Sequence, residues 1–172
     1  MARNLLFGTA LQTGLAFMAA LASAQPAPNA RPTGGTLVAG SATISQTARN
    51  TRIDQSSQRA AIDWQSFDVG SRQSVTFQQP NAQSVALNRV TGPDPSQIAG
   101  RIDANGQIVL VNQSGVNFYK GAQVNAAGVM VSAAGISNQN FMAGHMAFDQ
   151  PARANARIDN AGTITVKQAG LA

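Results

Sequence analysis

From Gly34 onward, short apolar pieces alternate with polar breaks made of Gly, Asn, Asp and Ser. Thr36 to Ala39, Ala42 to Gln46, Thr51 to Gln55, Ala60 to Trp64, Ser74 to Phe77, Val85 to Asn88, Gln107 to Val111, Val116 to Phe118 and Gly128 to Ser132 read as strands. Each lies at the short end of ordinary strand length. Turn dipeptides fall between them, among them Gly70-Ser71, Pro80-Asn81, Asn105-Gly106, Ser114-Gly115, Lys120-Gly121 and Ala134-Gly135. No stretch keeps a helical period, although Pro95 to Gly100 fits a single helical turn. Two all-β architectures compete. Asn105-Gly106 suits a hairpin turn and so a β-sandwich. The continuous apolar run ending at Val111 suits strands enclosed within a solenoid coil, and this reading fits more of the chain.

An internal likeness supports the solenoid. Arg101-Ile102-Asp103-Ala104-Asn105-Gly106-Gln107-Ile108 resembles Arg157-Ile158-Asp159-Asn160-Ala161-Gly162-Thr163-Ile164, with Arg-Ile-Asp, Gly and Ile at matching offsets. Self-similar strand-and-turn units are what stacked coils require, because each coil buries its apolar side against its neighbours. Asn105, Asn112, Asn117 and Asn125 are spread across the central segment. In a parallel stack an inward asparagine could bond to an asparagine one strand spacing away.

The amino-terminal stretch, residues 1–24, reads as a signal peptide. Arg3 gives a positive start, Leu5 to Leu21 is almost wholly apolar or small, and Ala22-Ser23-Ala24 is a small-x-small cleavage pattern. No later segment is long and apolar enough to span a membrane as a helix. Residues 25–33 are proline-rich and polar and read as an extended leader. The chain has no cysteine, which removes disulfides, thiol nucleophiles and thiolate metal sites. It also suits a chain that has to stay extended in an oxidising compartment. The net charge of +5 comes mostly from arginines scattered singly, without the basic runs and interleaved aromatics of a nucleic-acid footprint.

Catalytic chemistry is thin. The one histidine, His145, cannot by itself build a triad or a multi-histidine metal site, and it reads as a packing or surface residue. No phosphate loop or calcium repeat is present, and no cofactor or metal is expected. Asp63 and Asp68 flank Trp64 and Phe67 and form the nearest carboxylate pair, which leaves a carbohydrate-active β-helix enzyme as an alternative. The simpler reading of that segment is an aromatic packing knot whose acids satisfy turn amides. A stand-alone surface adhesin module is the third reading.

Several segments resemble the amino-terminal secretion domain of filamentous haemagglutinin-like exoproteins, the substrates of two-partner secretion. They are Ile62-Asp63-Trp64-Gln65-Ser66-Phe67-Asp68-Val69-Gly70, Ser74 to Pro80, Ala86-Leu87-Asn88-Arg89-Val90, Ser96 to Gly100, Asn105 to Asn112 and Lys120 to Asn125. Their order over most of the chain after residue 24 is similar to that of the family. The resemblance implies a right-handed parallel β-helix over residues 34–172. It implies recognition in the periplasm by a partner outer-membrane transporter, followed by export to the surface or medium of a Gram-negative bacterium. It implies nucleation of β-helix folding and a non-enzymatic role. Passengers of the family are adhesins, haemolysins or growth inhibitors, so host-surface receptors are possible partners of a full-length passenger. The family's Asn-Pro-Asn-Gly turn falls on Asn112-Gln113-Ser114-Gly115. Gln113 replaces the usual proline and Ser114 the usual asparagine, and Tyr119 stands where glycine is common. Asn112, Gln113, Ser114 and Gly115, with Asn105 and Gly106 in the adjoining turn, are the candidate recognition residues. Because the chain stops at Ala172, soon after the second Arg-Ile-Asp unit, the β-helix is expected to be incomplete at its carboxyl end.

Overall fold

A computed structural model describes residues 25–167; the expected signal peptide and the last five residues lie outside the described residues. The fold is an all-β solenoid of parallel stacked coils. Its strands are β1 (Thr36–Ala39), β2 (Ala42–Gln46), β3 (Asn50–Gln55), β4 (Arg59–Trp64), β5 (Ser74–Gln78), β6 (Val85–Val90) and β7 (Ser96–Ile98). They are followed by β8 (Arg101–Ala104), β9 (Gln107–Asn112), β10 (Gly115–Phe118), β11 (Gln123–Ala126), β12 (Gly128–Ser132), β13 (Arg157–Asn160) and β14 (Thr163–Val166). One short helix, α1 (Asn138–Met142), lies between β12 and β13.

The strands form three sheets. A long sheet runs β14-β11-β8-β5-β3-β2, a second sheet β1-β4-β6-β9-β12, and a short sheet β13-β10-β7. The chain visits the long, second and short sheets in turn, so β5-β6-β7, β8-β9-β10 and β11-β12-β13 are successive coils. Their registers are unbroken: Val75 lies beside Ile102 and Ile102 beside Val124, while Ala86 lies beside Ile108. Alternate side chains therefore point inward in columns, and Ile53, Ile62, Val75, Phe77, Ile102, Ile108, Leu110, Val116 and Val124 form one buried core. The amino-terminal end is closed by antiparallel pieces. β1 pairs with β4, β2 with β3, and Thr33 bridges Ser66. Reversed strands there cover the first coil's edge, where an open parallel edge would invite association.

The central strands of the second sheet, β4, β6 and β9, are buried on both faces. Between β12 and β13 the chain leaves the coil as a strap that carries α1 back over the sheet. Ile136 and Phe141 of the strap pack on Ala61, Leu87, Val109 and Val111, whose side chains point away from the solenoid core. Arg59 reinforces the seat, with its guanidinium 5.4 Å from the Phe141 ring centroid and its Nη1 donating to the Phe141 carbonyl. The continuous apolar run Ile108–Val111 is thus explained by burial on two sides.

Local readings differ from the structure in several places. Ser96–Ile98 is strand β7, not a helical turn. It pairs with β10 and places Ile98 beside Val69, and this pairing between coils outweighs the local preference of Pro95 and Ser96. Asn105-Gly106 is not a hairpin turn but a corner, since β8 and β9 belong to different sheets. The two Arg-Ile-Asp units do not occupy equivalent places. Arg101 opens β8 in the long sheet, whereas Arg157 opens β13 in the short one. Their likeness records a strand–corner–strand pattern rather than a coil period. Among the described residues these asparagines do not stack on one another. Asn117 lies between Gln97 and Asp159, and Asn125 donates to Asp103 (3.0 Å), because successive coils present different residues at each register position.

Candidate functional site

The candidate residues occupy two corners of the third coil. The Asn105-Gly106 corner joins β8 to β9 and is tied to the coil before it. The Asn105 side chain accepts from the Gln79 amide N–H (2.6 Å) and donates to the Gln79 carbonyl (2.7 Å), so it pairs with that backbone as a strand residue would. The Gly106 N–H donates to Gln79 Oε1 (3.0 Å). Gln79 is itself buried, and its Nε2 donates to Gln55 Oε1 and to the carbonyls of Ser84 and Gln107. The result is a polar ladder of Gln55, Gln79 and Asn105 up one corner. Each buried amide has partners, as burial in low dielectric requires.

The Asn112–Gly115 turn joins β9 to β10. Asn112 is wholly buried. Its Oδ1 accepts from the Ser114 N–H (2.9 Å), and its Nδ2 donates to the Asp94 carbonyl and to Ser96 Oγ (both 3.0 Å). It therefore shapes its own turn and ties it to the coil beneath. Gly115 has φ +108°, a region that glycine enters freely. A Cβ there would also overlap the Arg157 backbone. Both Gln113 and Ser114 put their side chains to use. Gln113 Nε2 donates to the Pro151 carbonyl (2.8 Å), and Ser114 Oγ receives Arg153 Nη1 (2.8 Å). The Arg153 N–H donates to the Gln113 carbonyl (2.8 Å) and its Nη1 to that of Gly92 (3.2 Å). The end of the strap is therefore fastened across this turn, a link that no single local motif signals.

The two aspartates of the enzyme alternative are engaged separately. Asp63 forms an ion pair with Arg89 (2.7 Å), which also donates to the Ile136 carbonyl in the strap. Asp68 Oδ1 accepts the Gln97 N–H (2.8 Å) in the next coil. Burial pushes the Asp68 carboxyl above the usual aspartate range, and the charge of Asp94 adds to this against the opposing Gln97 bond. A folded-state pKa above the unfolded one means that the folded protein binds more protons. Asp68 therefore lowers stability as pH rises from the ordinary aspartate range, near 3.9, through its raised value. Asp68→Asn keeps an oxygen for Gln97 and removes the charge. The variant is expected to be at least as stable as the parent at pH 7, with a flatter stability profile across that rise, in urea unfolding followed by circular dichroism. A less stable variant at pH 7 would contradict this assignment. His145 is exposed, as expected of a surface residue. Among the described residues no cluster of potential ligands could hold a metal ion. No described helix is long and apolar enough to cross a membrane.

Stacked parallel coils with an antiparallel cap and asparagine-tied corners make this a β-solenoid, a repeat architecture in which each coil rests on its neighbours. The model of the TPS secretion domain family matches residues 29–172, and the chain belongs to that family. Its sequence is 45% identical over 101 residues to a heme/hemopexin-binding protein of Haemophilus influenzae, covering 59% of this chain and 11% of that protein. A second heme/hemopexin-binding protein of Haemophilus influenzae is 46% identical over 96 residues, 55% of this chain and 10% of that protein. The chain thus spans about a tenth of these curated relatives. The crystal structure of the HMW1 secretion domain from Haemophilus influenzae superposes with a TM-score of 0.74 at 38% identity, covering 78% of this chain and 36% of that one. The fold and the family expected from the sequence are therefore found. Two-partner secretion exoproteins are secreted or cell-surface proteins of Gram-negative bacteria, and a secretion domain of this family implies an outer-membrane transporter as partner.

Proposed function

We propose that this domain is the export address of its exoprotein. Soluble periplasmic modules of the partner transporter read it while the chain is extended, and it then nucleates coil-by-coil folding outside. Its role is to be recognised and to fold, not to catalyse. The observation that carries this reading is Asn112, whose side chain is buried and occupied by three hydrogen bonds once the third coil closes. Gly106 and Gly115 are buried with it. A transporter that reads Asn112-Gln113-Ser114-Gly115 and Asn105-Gly106 has access to all six only before that closure. β-Augmentation is the physical mode that suits an extended segment.

Asn112→Ala tests the reading. In the folded protein it removes bonds at a buried position and is expected to lower stability by about 1–3 kcal/mol. With the transporter present, the exported amount is expected to fall, while variant refolded from denaturant keeps the parent's β-sheet spectrum. Export at the parent's level would overturn recognition through this turn. Loss of the β-sheet spectrum together with export would assign Asn112 to coil closure instead.

A further inference from the structure

The three outer faces of the solenoid differ. The strap covers the second sheet, and the short sheet offers strands of three or four residues. The long sheet's outer face has no comparable cover among the described residues. Its outward side chains form a polar column in register, Arg52, Thr76, Asp103, Asn125 and Thr165, each beside the next. Along one margin of this face runs a groove of about 500 Å³, within the usual range for small-molecule sites. Thr76, Gln78, Asp103, Asn105 and Asn125 line it, and Ala82 in the loop after β5 helps form its wall. Within it, the Gln78 amide and the Asn125 side-chain oxygen have no hydrogen-bond partner among the described residues.

We propose that this groove binds a neutral, extended hexose polymer lying along the solenoid axis. Two features select that ligand. The first is period. Parallel strands are spaced by about 4.7–4.9 Å, so Thr76, Asp103 and Asn125 on β5, β8 and β11 present polar groups at one regular step along the axis to an extended polymer. An extended peptide advances by about 3.3–3.4 Å per residue and falls out of step with the column. The second is chemistry. The lining offers amides, a hydroxyl and one carboxylate, Asp103, which is already paired with Arg101 and Asn125. Amides and carboxylates in fixed planes supply donors and acceptors together, as vicinal hydroxyls require. Lys167 is the one basic side chain among the lining residues, far from the several cations that a nucleic acid or sulfated polymer would recruit. The groove shares Asn105 with one of the corners assigned to export, but Gln78 and Asn125 lie outside those corners, and the proposal does not depend on that reading.

The test is calorimetric titration of the folded chain with neutral linear hexose oligomers of two to six sugars, β-1,4-linked glucose and mannose series, with heparin and single-stranded DNA as charged comparisons. Affinity is expected to rise with length and to level off once the oligomer spans β5 to β14, and it is expected to be insensitive to salt. Gln78→Ala and Asn125→Thr are each expected to weaken binding several-fold. Threonine is already present at neighbouring points of that column, so the second variant preserves the strand. Asn117→Ala, on the short sheet, is expected to bind like the parent. Failure of every neutral oligomer to bind, or binding unchanged in both groove variants, would overturn the proposal. Preference for heparin or DNA with steep salt dependence would do the same. So would concentration-dependent dimerisation abolished by the groove variants, which would make the face a contact between copies.

Discussion

Trp64→Ala is expected to be the most damaging single substitution in the chain. Trp64 is 1% exposed and stands at the end of β4, where the amino-terminal cap meets the first coil. Its ring meets Phe67 edge-on, with centroids 5.4 Å apart. Gly35 crosses directly over it, so closely that a Cβ on Gly35 would overlap the indole. Its Nε1–H donates to Asn88 Oδ1 (3.0 Å), and Asn88 is a buried amide set among inward apolar residues of the second sheet. Removing the ring opens a cavity between cap and coil, a loss of about 3–5 kcal/mol by analogy with other buried aromatics. It also strands the Asn88 oxygen, adding about 1–3 kcal/mol. That sum is comparable with the whole stability of an ordinary domain, about 5–15 kcal/mol. Urea unfolding should show Trp64→Ala unfolded or nearly so, with Trp64→Phe intermediate because it fills most of the space yet leaves Asn88 unpaired. A Trp64→Ala protein that unfolds at the parent's denaturant midpoint would contradict this account of the cap.

Gly100→Ala is expected to come second, for a different reason. Gly100 lies where the second coil turns from the short sheet to the long one, directly against Gly70 of the coil before. Its N–H donates to the Val69 carbonyl, and its own carbonyl accepts from Gln123 of the coil after. A Cβ on Gly100 would overlap the carbonyl oxygens of Gly70 and Gln73 and press on the Val69 side chain. Two of those three contacts are backbone, so relief requires the coils to part, and parting breaks hydrogen bonds on both sides. Overpacking of this kind costs about 1–3 kcal/mol, and the lost bonds between coils add to it. Gly121→Ala provides the comparison, since φ there is +95° but a Cβ would meet nothing within 4 Å. The expected order of denaturation midpoints is parent, Gly121→Ala, then Gly100→Ala. Equal losses at the two glycines would show that backbone conformation, and not the approach of the coils, sets the cost.

The sequence made the inward side of the solenoid legible because inward burial leaves a local trace. All nine segments read as strands fall within β1 to β6, β9, β10 and β12, where apolar residues such as Val75, Phe77 and Ile108 recur between turn residues. The strands it left unassigned have weak local marks. β7 is Ser-Gln-Ile, and β11 is Gln-Val-Asn-Ala; neighbouring coils pair with both. β13 and β14 were visible as a repeat, but a repeat unit does not say which sheet it joins. The strap was hidden for another reason. Its anchors Ile136 and Phe141 stand five residues apart, in neither a strand alternation nor a helical period, and their partners Leu87 and Val109 lie far away in sequence. Ser137, which accepts the Asn140 N–H and caps α1, was the available signal for the helix.

The candidate site was legible in type and not in connection. Asn and Gly at Asn105-Gly106 and Asn112–Gly115 could be read as tight corners from residue chemistry alone. That Asn105 would clasp the Gln79 backbone, or that Gln113 and Ser114 would hold Pro151 and Arg153, follows from coil register and from the path of the strap. Neither is written in the turn itself. Trp64 and Asn88 make the same point, since the hydrogen bond that joins them exists because β4 and β6 are neighbours in the second sheet.

The central claim is that this chain carries a working address for two-partner secretion. The most direct test is to express it in a Gram-negative host with and without its partner outer-membrane transporter and to measure the protein in the medium. The account predicts that it appears outside when the transporter is present, folded and rich in β-structure, and that it stays in the periplasm when the transporter is absent. Retention in both cases, with the same transporter shown to export another substrate, would contradict it.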